Sequence, residues 1–165
     1  LQQRYRCFFI IADLHTLTTR PEKKHVAQLQ ENIYDMVGGN PLALKLVIGQ
    51  IGVLPLSQVL ENLKEARGKK TEELYNYIYW QAWHALDPVS REVLLVMPLV
   101  QGGAFAQLTA LSQFELDELS QALEHLSALS LVEVSGDDLE QHRYRIHRLT
   151  ETFLLTEVAK WQPPP

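Results

Sequence analysis

Apolar positions recur at helical spacing along most of the chain. Val26, Leu29, Ile33, Met36 and Val37 follow one another every three or four residues. That spacing predicts an amphipathic helix opened by Thr18-Thr19-Arg20-Pro21 and stopped by Gly38-Gly39. Asn40 suits the N-cap and Pro41 the first turn of a second helix, from Leu42 to about Ile51. This second helix is apolar on nearly every side, so it is expected to be buried. Leu54-Pro55 breaks it, and Ser57 caps a third helix carrying Val59, Leu60 and Leu63. The polar stretch Arg67-Gly68-Lys69-Lys70 is the expected domain boundary. Ahead of all this, Arg4 to Leu14 forms a short apolar, partly aromatic run with the character of a strand. No second strand follows to pair its backbone, which leaves it as the orphan edge of a missing sheet or a stretch recruited into a helix.

The second half predicts helix, helix, helix, hairpin, helix. Thr71 caps a long helix on which Leu74, Tyr75, Ile78, Tyr79, Ala82 and Leu86 share a face. Tyr77, Trp80 and Trp83 fall outside that face and are candidates for packing elsewhere. Asp87-Pro88 ends that helix and opens the next, through Val93 to Met97 and Pro98. After Gly102-Gly103 come a short helix around Ala106 to Leu111 and a longer one from Leu116 to Leu129. Leu131 to Val134 and Tyr144 to His147 read as two strands joined by a turn at Ser135-Gly136-Asp137-Asp138, and a last helix runs from Leu149 to about Trp161. This is the element order of a winged helix. The expected fold is therefore mainly α: a small helical bundle, then a winged-helix domain with a β-hairpin wing.

Composition narrows the classes. The 165 residues suffice for one domain or two small ones, and 46% are apolar, which suits a globular chain. No run approaches a membrane span, and the apolar stretch Cys7 to Ala12 is too short for a signal peptide. A single cysteine excludes an internal disulfide framework and a cysteine-cluster zinc site, and a cytoplasmic home is expected. The formal charge of −5 speaks against a nucleic-acid partner. The chain begins at Leu1 without methionine and ends in three prolines, so both ends are expected to be boundaries within a longer protein.

Two motifs point further. Gly38-Gly39-Asn40-Pro41-Leu42-Ala43-Leu44 resembles the GxP motif of NB-ARC-like STAND ATPases, found in the helical domain behind their P-loop domain. Ile146-His147-Arg148-Leu149, at the end of the last expected strand, resembles the MHD-type motif of their winged-helix domain. The pair stands in the family's order, about a hundred residues apart. The resemblance implies residues 1–17 as an edge of the nucleotide-binding domain, 18–70 as the helical ARC1-like subdomain and 71–165 as the winged helix. It implies nucleotide contacts in the parent from Pro41 and His147, supported by Gly39, Asn40, Leu42 and Arg148, with ADP or ATP and Mg as cofactors there. The implied partners are an upstream P-loop domain, sensor or effector domains, and further copies of the chain on activation, with no membrane and no DNA. Arg148 stands where that family has aspartate, so an acidic contact is not carried over. Gly68-Lys69-Lys70-Thr71 imitates the tail of a Walker A loop, but Leu63 occupies the first glycine position, and a phosphate cradle is rejected.

The expected function is thus regulatory: a non-catalytic, autoinhibitory segment that senses the nucleotide state of a STAND ATPase. The alternative is a DNA-binding winged-helix transcriptional regulator. It is disfavoured because Glu115, Asp117, Glu118 and Glu124 crowd the candidate recognition helix and Asp137, Asp138 and Glu140 the wing, where they would repel phosphate. An enzyme in its own right ranks last, since no nucleophile–base pair or metal cluster is visible. Each site residue also has a purely local reading: Pro41 as a first-turn proline, and His147 as a histidine that caps the strand-to-helix junction. The remaining histidines, His15, His25, His84, His125 and His142, are expected to be surface or packing residues.

Overall fold

The first corner of the fold is set by two glycines. Gly38 and Gly39 both adopt left-handed backbone, φ 62° and 68°. Gly39 N donates to Tyr34 O and Gly38 N to Asp35 O, which closes the preceding helical turn in a Schellman arrangement. The left-handed φ is what favours glycine at position 39; an added Cβ would also meet the Tyr34 hydroxyl at 2.7 Å, at the far end of a side chain that can shift. The computed structural model of the protein describes residues 33–51, 53–66, 71–100, 102–136 and 142–160. The strand-like run Arg4 to Leu14, the start of the helix expected from Pro21, the boundary stretch 67–70 and part of the hairpin turn lie outside the described residues.

The chain divides into two compact units, Leu1–Ala82 and Trp83–Pro165. In the first, the helices are α1 (Pro41–Ile51), α2 (Leu56–Ala66) and α3 (Thr71–Ala85), the last of which carries the division. Helix α1 buries Ala43, Leu44, Leu46 and Val47, as its all-round apolar sequence predicts. Val59 and Leu63 of α2 and Leu74, Ile78, Tyr79 and Ala82 of α3 complete the core, with Ile33 and Val37. Gln50 is the one polar side chain buried in this unit's described core. Its amide donates to Ile78 O at 2.9 Å, which satisfies the group and pins α1 to α3. Asn62 Nδ2 donates to Gln81 Oε1, and the Tyr77 hydroxyl donates to Glu65 Oε2 at 2.8 Å, joining α2 to α3. Tyr77, outside the apolar face of its helix, therefore finds a hydrogen-bond partner within its own unit.

The second unit contains α4 (Pro88–Val96), a 3-10 turn (Met97–Leu99), β1 (Gly103–Ala104), α5 (Phe105–Ser112), α6 (Leu116–Ala128), β2 (Val132–Ser135), β3 (Arg143–Ile146) and α7 (Arg148–Phe153). The last helix continues into a wider π-helical turn, Leu154–Val158. The strands form an antiparallel sheet in the order β1-β3-β2, with Glu133 opposite Arg145 and Ser135 opposite Arg143. Alternation buries Tyr144 and Ile146 and exposes Arg143 and Arg145. The core joins Val93, Leu94 and Met97 to Leu108, Leu119, Leu123 and Leu126, and closes on Val132, Ile146, Phe153 and Leu154. The fold is mainly α with one small sheet, as expected, and its connectivity is that of a winged helix with β1 added. That two-residue strand carries no periodicity of its own, so the sequence pattern does not reveal it.

Candidate functional site

The Gly39–Leu42 corner is built from local hydrogen bonds. Asn40 Oδ1 accepts from Leu42 N at 3.0 Å and from Ala43 N at 3.4 Å, so Asn40 is the N-cap of α1 and Pro41 its first helical residue. Tyr75 of α3 reaches the Asn40 side chain; burial pushes the Tyr75 hydroxyl above its usual range, and this hydrogen bond partly offsets it. Gly39, Asn40, Pro41 and Leu42 thus stand together as one tightened corner in the first unit.

His147 and Arg148 stand together in the second unit, at the junction of β3 and α7. His147 is the N-cap of α7: its Nδ1 accepts from Leu149 N at 3.2 Å. The lone pair on Nδ1 is committed to the backbone, so only Nε2 faces solvent with hydrogen-bonding capacity. Arg148 is exposed at the first helical position. The two groups of expected site residues belong to different units, and each is accounted for within its own.

A third constellation was read only in part from the sequence. Asp87 caps α4 as expected, accepting from Ser90 N at 2.9 Å. Its Oδ2 also accepts from Ser90 Oγ at 2.5 Å and faces His125 Nδ1, in the last turn of α6, at 3.1 Å. Partial burial alone would raise the Asp87 carboxyl. The hydrogen bonds from Ser90 and His125 outweigh it and hold the carboxyl at about 2. Serine, histidine and aspartate at this range suggest a hydrolytic triad, but the geometry rejects one. Ser90 gives its proton to the carboxylate rather than to the imidazole, and the same His125 nitrogen faces both partners, with Ser90 Oγ at 3.4 Å. Ser90 is also fully buried, beyond the reach of a substrate. The cluster is a structural clip between α4 and α6. An acidic N-cap and a last-turn histidine are both visible in the sequence, yet nothing there says that they meet.

Arg91 closes the preceding junction. Its guanidinium donates to Trp83 O at 3.1 Å and His84 O at 3.3 Å, covering carbonyls at the end of α3, and lies 5.6 Å from the Trp83 ring. Trp83 thus finds its partner within its own unit. Among the described residues no group of three or more His, Cys, Asp or Glu could hold a metal ion, and no helix is long and apolar enough to cross a membrane.

Comparison with known proteins points to a class that the motifs did not suggest. The profile of the tRNA synthetases class I (W and Y) matches residues 1–67. Two similar proteins are tryptophan--tRNA ligases. That of Chlamydia caviae is 58% identical over 33 residues, which are 20% of this chain and 10% of the ligase. That of Borreliella burgdorferi is 50% identical over 36 residues, 22% of this chain and 10% of the ligase. The chain spans about a tenth of the length of the curated relatives it matches. No solved structure matches it.

These matches overturn the resemblance to the NB-ARC-like STAND ATPases. With it fall the regulatory, autoinhibitory function, the upstream P-loop domain and the sensor or effector partners. They equally overturn the DNA-binding winged-helix regulator. The physical reason lies in the motifs themselves. Gly38 to Leu44 is a helix stop followed by a capped helix start, and Ile146 to Leu149 is a strand end followed by a capped helix start. Residue types that backbone geometry demands at such junctions recur across unrelated folds, so their order carries little family information.

Proposed function

We propose that residues 1–67 are a segment of a class I tRNA synthetase of the tryptophan type. The protein carrying this chain is then an enzyme that joins tryptophan to tRNA at the expense of ATP, in the cytoplasm. The observation that carries this reading is the 58% identity to a tryptophan--tRNA ligase over 33 residues, inside a chain whose first 67 residues match the family. The matched region ends where the polar stretch Arg67-Gly68-Lys69-Lys70 begins, inside the compact unit Leu1–Ala82. In this reading Pro41 and His147 hold backbone at helix starts, and the substrates are met by other residues.

Charge supports a division of labour. Residues 1–82 carry 10 basic and 8 acidic side chains, whereas residues 83–165 carry 5 basic and 12 acidic ones. A tRNA brings a dense row of phosphates, so the first unit is the more favourable general neighbour and most of the second unit's surface is not. The test is transfer of labelled tryptophan onto tRNA by the full-length protein. Tryptophan- and ATP-dependent charging is the expected result; no charging by well-folded protein with any tRNA pool would end the reading.

A further inference from the structure

The chain contains one Asp-Pro pair, Asp87-Pro88, and it stands at the start of α4, inside the clip with Ser90 and His125. Two properties make this peptide bond chemically weaker than its neighbours. The nitrogen of Pro88 belongs to a tertiary amide and carries no N–H, so it takes a proton from acid more readily and leaves more easily. The Asp87 carboxylate can reach its own backbone carbonyl carbon by closing a five-membered ring. The fate of the bond therefore depends on what holds that carboxylate.

Both of its oxygens are occupied. Oδ1 accepts from Ser90 N at 2.9 Å, while Oδ2 accepts from Ser90 Oγ and faces His125 Nδ1 at 3.1 Å. The backbone carbonyl is fixed too: Asp87 O accepts from Arg91 N at 3.1 Å, the first bond of α4, with Asp87 extended at φ −70° and ψ 164°. The carboxylate is thus aimed forward at the open end of the helix. Attack requires an oxygen to leave its donors and turn back onto the carbonyl carbon. Burial does not protect the bond, because the Asp87 side chain is 48% exposed and acid and water reach it. Among the charged neighbours, Arg91 turns its guanidinium to the carbonyls of Trp83 and His84 at the end of α3, and Glu124, beside His125 on α6, is exposed. The side-chain donors to the carboxylate are Ser90 and His125.

We propose that Asp87-Pro88 is a self-cleavage site, cut in acid by the Asp87 carboxylate, and that the hydrogen bonds from Ser90 and His125 keep it intact while α4 and α6 are docked. In the first step an Asp87 Oδ bonds to the Asp87 carbonyl carbon. The bond to Pro88 N breaks, and the nitrogen leaves with a proton from the acid. Water then opens the cyclic anhydride, so Asp87 ends with two carboxyl groups and Pro88 with a free amine, and one water is consumed. The ionised oxygen is the nucleophile, and the donors that hold the carboxyl at about 2 favour its ionised form only while it stays bound to them. An oxygen that swings free forfeits that gain. The cut falls just inside the unit Trp83–Pro165, so it severs the covalent link to Leu1–Ala82 and to the residues that match the family profile.

The test incubates the full-length protein at the lowest pH at which circular dichroism shows it folded, with a parallel sample unfolded in urea at that pH. Intact mass and the sequence of any new amino terminus read the cut. The unfolded chain should yield a fragment beginning at Pro88, and the folded chain should yield it at least about ten-fold more slowly. Asp87→Asn should remain uncut at this bond in both samples. His125→Leu, which keeps bulk but has no donor, should speed cutting of the folded protein several-fold. His125→Asn, whose amide nitrogen replaces Nδ1, should keep the slow rate, and in urea both variants should match the wild type. Agreement in urea ties any difference to the fold rather than to the bond itself, and circular dichroism of each variant separates a freed carboxylate from an unfolded chain. A folded wild type cut as fast as the unfolded one overturns the proposal. So does an unfolded chain that is not cut before Pro88, or a folded His125→Leu protein cut no faster than the wild type.

Discussion

On the Asp87 carboxylate three donors converge, and acid should expose the consequence. Its folded-state carboxyl sits at about 2, against an ordinary value of 3.8. A folded-state value below the unfolded one means that the ionised form stabilises the fold. That contribution is complete above about pH 5 and disappears as the pH falls through 3.8 towards 2. The side chain is about half exposed, so solvent screens the effect, but its sign is set. Urea unfolding followed from pH 5 to pH 2 should therefore show a steeper loss of stability for the wild type than for Asp87→Asn. The asparagine keeps an N-cap acceptor for Ser90 N but has no charge to lose. Identical pH slopes would show that the clip to Ser90 and His125 carries no net charge stabilisation. Gly39 supplies a second test at this scale. Gly39→Ala puts an L-residue at φ 68°, so it should cost about 1–2 kcal/mol, read as a lower urea midpoint. A neutral outcome would mean that the corner can unwind at no cost.

At the scale of elements, the junctions decide more than the interiors. Helix α6 ends with Ser130 at φ 58°, while Leu131 N donates to Leu126 O and Ser130 N to Ser127 O. This is the same Schellman closure that glycine supplies after Tyr34, here made with a side chain in the left-handed region. Ser130→Gly should remove that strain and raise the melting temperature by about 1–4 °C; a decrease would indicate that the serine hydroxyl matters more than the backbone. His147→Ala should lower stability by up to about 1 kcal/mol, since it strips Leu149 N of its acceptor at an exposed helix start, and His147→Asp should restore most of it. If Asp fails to restore it, the ring packs rather than caps. These junctions also explain what was legible in the sequence. Asn40, Asp87 and the two strands around Gly136 were readable because caps and alternation are local. Strand β1 was not, because two residues become a strand only through pairing with Tyr144 and Arg143 of β3. The meeting of Asp87 with His125 joins residues 38 positions apart, which no local pattern encodes.

For the whole molecule, the family was the hardest property to read, and the reason is physical. The motifs that suggested a nucleotide switch were helix boundaries, where many folds converge on the same residues. The matched segment, residues 1–67, includes a run from Arg4 to Leu14 that offered only a strand-like apolar pattern. Such a pattern is compatible with many families, whereas residue identity along 33 positions is compatible with few. The matched family covers both tryptophan and tyrosine enzymes, so amino-acid choice is the sharpest property left to predict. Indole is larger than phenol and carries a ring N–H but no hydroxyl. A pocket that selected by size alone would still admit tyrosine, with discrimination of roughly 10- to 200-fold. A pocket with a buried acceptor for the indole N–H leaves that acceptor unsatisfied when tyrosine enters, at a cost of about 1–3 kcal/mol beyond size. If the proposed function holds, the full-length protein should charge tRNA with tryptophan at a kcat/KM at least about 50-fold above tyrosine. Measuring both amino acids with the same tRNA pool checks this. A ratio near one, or in favour of tyrosine, would refute the tryptophan assignment while leaving the class I synthetase reading in place.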